Sequence, residues 1–193
     1  MDTAIVDPLR TALIRHRYTT DAVRDLLGPG AHAALGRGEV EPAFRAARGG
    51  GELGVLVRLL LLGSVEPDAA VAAALAPLSP ADAAAAGLLQ RVSGGPVDGG
   101  WVAALDLRPY GVDDPEEPTE WWVLSDLDTR RQERDHVTGA GGASLTLAAA
   151  TDRRPVGSLL DLGTGCGVQA QHAPRPARAG PATAVAPRAR AQA

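Results

Sequence analysis

Lysine is missing from this chain of 193 residues, and all 19 basic positions are arginine. Together with the abundance of Ala, Gly and Pro, this points to a GC-rich coding sequence and not to any activity. Cysteine occurs once, at Cys166, which excludes a disulfide framework. Aromatic residues make up only 3% of the chain, so a core has to be assembled from Leu, Val and Ala, a composition that suits helices. Long apolar runs are also absent: the longest, residues 55–62, is interrupted by Arg58 and falls far short of the roughly 20 residues that span a bilayer. Residues 1–10 carry Asp2 and Asp7 and no apolar segment of signal-peptide type, so a cytoplasmic protein without membrane contact is expected. The net charge of -4 gives no global attraction to polyanions, and no local basic patch stands out in the part expected to fold.

What is present reads first as a series of short helices. Leu9, Leu13 and Ile14 recur at helical spacing in residues 8–17, and Thr19 or Thr20 is placed to cap a second helix that ends at Gly28-Pro29-Gly30. Further helices are expected over residues 31–35, 42–48, 53–62, 67–75 and 80–89, several of them opening at or near a proline. After Gly94 and Gly95 the texture changes. Residues 101–107 and 120–125 favour strands and are separated by a loop rich in Gly, Pro and acids, so they read as an antiparallel pair. Two helices followed by strands is the order of a winged-helix module. A charged stretch at 128–136 then leads to a glycine cluster and a helix at 144–150, with the whole of 128–150 read as a linker.

One segment has residue types at a spacing that points to a ligand. Residues 156–161 have the apolar character of a buried strand and run directly into Leu162-Gly163-Thr164-Gly165-Cys166-Gly167, followed by a helix start at 168–170. Glycines in such a loop allow a tight turn and a close approach of the backbone to a bound group that a Cβ would push away. The dinucleotide fingerprint G-x-G-x-x-G is not met, because Val168 stands where its last glycine would be and no acid follows about twenty residues on. The spacing G-x-G-x-G led by Asp161 is instead similar to the first motif of class I methyltransferases dependent on S-adenosyl-L-methionine.

The resemblance extends over most of residues 9–170. Leu107-Arg108-Pro109-Tyr110, residues 121–126, Asp126 to Asp128, His136, Gly141 to Leu145 and Arg154-Pro155 are similar to segments of a two-part bacterial group. The chain thus resembles actinobacterial methyltransferases that have a winged-helix-like N-terminal domain and a catalytic part similar to the release-factor glutamine and adenine-N6 methyltransferases. The resemblance implies that Asp161, Gly163, Thr164, Gly165, Cys166 and Gly167 bind the cofactor S-adenosyl-L-methionine. In that family the loop passes under the methionine part, and the acid lies near its amino group. It further implies N-methylation of a protein glutamine or a nucleobase, so that the partner would be a protein or nucleic-acid substrate. The same comparison exposes what is missing: no Asp or Glu after Asp161 to hold the ribose hydroxyls, and no aromatic after Trp122 for the later Asn/Asp-Pro-Pro-aromatic turn.

The expected fold is α+β. A helical, winged-helix-like N-terminal domain covers residues 1–127, and the linker covers 128–150. The first strand and glycine loop of an incomplete Rossmann-like methyltransferase domain follow at 151–170. The tail, 171–193, is almost wholly Ala, Arg, Pro and Gly with nothing apolar larger than Val185, and is expected to be disordered. Its abrupt composition resembles a reading frame translated out of register, and such a fragment is expected to be inactive by itself. The competing reading is an interaction module for nucleic acid or protein without enzymatic activity. Helix 80–89 contains Asp82 and no basic residue, which argues against groove binding by that face.

Other residues invite sharper readings that blander ones outweigh. Cys166 as a nucleophile would need a nearby base or positive field to activate its thiol, and the glycines already explain the loop. His16, His32, His136 and His172 show no metal-ligand spacing and read as surface or capping residues. Trp121 and Trp122 point to opposite faces of a strand and read as packing residues, and the acids at 113–117 read as a solvated hairpin loop. Arg130-Arg131 and Arg153-Arg154 are interleaved with acids, which weakens a phosphate-binding reading.

Overall fold

In the computed structural model, which describes residues 3–95, 97–112, 119–127, 136–151, 154, 160–172 and 183–185, the first long element is α1 (Val6–Arg15). It buries Leu9, Ala12 and Leu13 and ends at His16, whose backbone N–H returns to the Ala12 carbonyl. Arg17, at φ 52°, turns the chain so that Thr19 can cap α2 (Thr20–Gly36) by accepting a hydrogen bond from the Ala22 N–H. The break expected at Gly28-Pro29-Gly30 is a kink inside α2. Gly28 adopts φ 69° and ψ 164°, which a glycine tolerates, and Pro29, lacking an N–H, opens the second half of the rod.

Helix α3 (Glu41–Ala47) and helix α4 (Gly51–Leu56) follow, and α4 continues into a π-helical turn at Val57–Leu61. Leu56, Val57, Leu59 and Leu60 are fully buried there. Arg58, which interrupts this apolar run in the sequence, is drawn inward by two acceptors. Its guanidinium donates to the Ala47 carbonyl at the end of α3 (2.7 Å) and to both carboxylate oxygens of Glu66 (2.8 Å each). The Glu66 backbone in turn exchanges two hydrogen bonds of 2.9 Å with Trp101. Gly54 is the residue that lets α4 approach α3, since a Cβ at this position would collide with the Ala47 carbonyl oxygen.

Helices α5 (Asp68–Leu75) and α6 (Pro80–Ala85) precede a hairpin of β1 (Leu89–Arg91) and β2 (Trp101–Ala103). The pair is antiparallel, with Leu89 opposite Ala103 and Arg91 opposite Trp101. Helix α6 therefore ends well before residue 89. Gly87, at φ 85°, terminates it, and Leu88 and Leu89 are buried beside or within a strand instead of on a helix. The strand pairing expected between 101–107 and 120–125 is corrected accordingly. The run breaks at Ala104 and Leu105, β2 takes β1 as partner, and β3 (Asp106–Val112) pairs with β4 (Thr119–Ser125). The fold is α+β, with the order helix, helix, hairpin at α5–α6–β1–β2.

The chain divides into two compact units, Met1–Trp122 and Val123–Ala193, with the boundary inside β4. In the second unit Asp126, only 5% exposed, is paired with Val137. Its N–H donates to the Val137 carbonyl (3.0 Å), and its carboxylate accepts from the Val137 N–H (2.8 Å). Helix α7 (Gly142–Ala150), strand β5 (Leu160–Leu162) and helix α8 (Val168–His172) follow. Residues 155–159 of the expected strand lie outside the described residues, as does most of 171–193. Within that tail Thr183–Val185 forms β6, parallel to β5 with Asp161 opposite Ala184. Among the described residues no helix is long and apolar enough to cross a membrane.

Candidate functional site

The loop between β5 and α8 owes its shape to three glycines in alternation. Gly163, Gly165 and Gly167 have φ of 76°, 56° and 82°, a region that L-residues with a Cβ avoid. Among the described residues, space is not what demands them: a Cβ on Gly163 or Gly167 would meet nothing within 4 Å, and one on Gly165 only the Gly163 carbonyl oxygen at 3.8 Å. The glycines are required by backbone conformation. A hydrogen bond from the Gly167 N–H to the Thr164 carbonyl (2.9 Å) closes the turn. The Gln171 N–H then donates to the Gly167 carbonyl (3.0 Å), which starts α8.

Asp161 sits in β5 immediately before the loop. Its Oδ2 is buried and has no hydrogen-bond partner among the described residues, so the strand that leads into the glycines carries an uncommitted acceptor there. A buried acceptor without a partner is costly, and a cationic or N–H group supplied from outside the chain would relieve that cost. Thr164 turns its hydroxyl back toward the Asp161 carbonyl at 3.5 Å, and Cys166 is half-buried. The six residues expected to bind the cofactor are thus brought together in one strand end and one loop.

Two features around the loop were not expected from the sequence. The Gln169 side-chain amide donates to the Ser144 carbonyl (2.9 Å), tying α8 to the first turn of α7. A glutamine one residue past a buried Val168 is the only local sign of such a tie. His172 is the second, and corrects the surface half of the surface or capping reading: it is 3% exposed at the end of α8. His32 is exposed, His136 is half-buried, and His16 caps α1. Among the described residues no group of three or more His, Cys, Asp or Glu could hold a metal ion.

In the first unit Trp101, Trp121, Trp122 and Tyr18 have partners within the unit. The Trp122 indole N–H donates to the Tyr18 carbonyl (2.7 Å), and Trp121 stacks on Tyr110 with ring centroids 5.9 Å apart. The Trp101 indole N–H donates to Asp68 (2.7 Å), while Arg91 lies over its ring at 4.9 Å. Tyr18 is fully buried, with its hydroxyl donating to the Leu107 carbonyl (2.7 Å). Burial, and then the nearby Asp106 carboxylate, push its phenol well above the ordinary range, against a smaller opposing effect of Arg108. The acids at 113–117 and Arg130, Arg131 and Arg153 lie outside the described residues, and Arg154 is exposed.

Residues 15–99, all within the first unit, match a family model described as a domain of unknown function (DUF7059). No curated protein and no solved structure matches the chain.

Proposed function

We propose that the segment from β5 to α8 is the first cofactor-binding element of an S-adenosyl-L-methionine-dependent N-methyltransferase acting on a protein glutamine or a nucleobase in the cytoplasm, and that this chain does not transfer methyl groups by itself. The observation that carries the reading is the buried Oδ2 of Asp161, without a hydrogen-bond partner among the described residues, in the strand that leads into three positive-φ glycines. The carboxylate suits the ammonium of the cofactor's amino-acid part, and the open glycine backbone suits a close approach to its chain. When bound, the cofactor would supply an electrophilic methyl group, so the protein's task would be to align the acceptor nitrogen and exclude competing water. Asp161, Gly163, Thr164, Gly165, Cys166 and Gly167 serve binding, not proton transfer. An acid to hold the ribose and an aromatic to orient the acceptor are not found after Asp161 and Trp122.

Equilibrium dialysis of the chain against labelled S-adenosyl-L-methionine tests this reading, paired with a methyl-transfer assay on protein and nucleic acid. Weak saturable retention is expected, lost in Gly165→Val and lowered at least about tenfold in Asp161→Asn, one lost charge-assisted contact being worth about 1.5–3 kcal/mol. No methyl transfer is expected. Retention that is absent, or equal in wild type and Gly165→Val, overturns the binding reading, and methyl transfer by the chain overturns its inactivity.

The order α5–α6–β1–β2 favours a second reading of the first unit, as a winged-helix-like interaction module. With α6 reduced to six residues that contain Asp82 and no basic side chain, a protein is the better partner than a nucleic-acid groove.

A further inference from the structure

We draw no further inference here: the strongest candidate, the uncharged surface of α7 where Leu145 and Leu147 are 51% and 56% exposed and only Ala148 is buried, carries nothing because nothing in the structure shows what covers it.

Discussion

Arg58 and Glu66 form an ion pair whose side chains are only 17% and 7% exposed. Removing one partner leaves the other charge buried, whereas replacing both with apolar residues does not. Glu66→Ala is therefore expected to lose about 3 kcal/mol in urea unfolding, and Arg58→Met/Glu66→Leu to recover more than half of that. A double variant as unstable as the single one would show that the Ala47 carbonyl, not Glu66, is the main partner of Arg58. Tyr18 predicts a pH dependence. Its phenol keeps its proton in the folded state above its ordinary range, while the unfolded chain releases that proton near about pH 10. The contribution of Tyr18 is thus fully present below about pH 10 and is lost as pH rises beyond it. Tyr18→Phe should be about 1 kcal/mol less stable at neutral pH, through the lost bond to Leu107, yet decline less steeply above about pH 10. Parallel alkaline declines in denaturant unfolding would rule Tyr18 out as the source. The fully buried state of Tyr18 was not legible in the sequence, because its acceptor lies 89 positions away.

At the scale of the element, helix starts were readable and helix approaches were not. Thr19 caps α2 by accepting from the Ala22 N–H, as its residue type and position imply, while the structure adds Ser79, which caps α6 by accepting from the Asp82 N–H. Thr19→Ala is expected to cost about 1 kcal/mol, read as a lower midpoint in urea with an unchanged slope. Gly54 behaves oppositely to a generic helical glycine. In an exposed helix, Gly→Ala gains up to about 1 kcal/mol, but at Gly54 the added Cβ would strike backbone of α3. Gly54→Ala should therefore destabilise the chain, and a gain in thermal midpoint would show that α3 and α4 can separate without cost. The ends of α6 and β2 were misjudged from sequence for a related reason. The alanines before Gly87 have helical composition, but the burial of Leu88 and Leu89 is settled only by pairing with residues 101–103.

At the scale of the molecule, the matched segment 15–99 is smaller than the unit that folds around it. It omits Leu9 and Leu13 of α1, the Trp101 backbone that pairs with Glu66, and the Leu107 carbonyl that receives the Tyr18 hydroxyl. A polypeptide of residues 15–99 is expected to melt at lower temperature and less cooperatively than one of residues 3–122, as followed by circular dichroism. Equal melting would mean that α1, β2 and β3 are accessory to the core.

By itself the sequence determined the α+β class, the helical lead-in, the cap at Thr19 and the glycine loop, because these rest on residue types within a few positions of one another. The three loop glycines were readable because a positive φ is a local demand. Tertiary structure alone decided which strand pairs with which, why Arg58 sits inside an apolar run, and that Asp161 ends with a buried oxygen that has no partner among the described residues. Each of these depends on groups that meet only when distant segments pack, and burial, which sets the cost of an unpaired charge or acceptor, does not exist until they do.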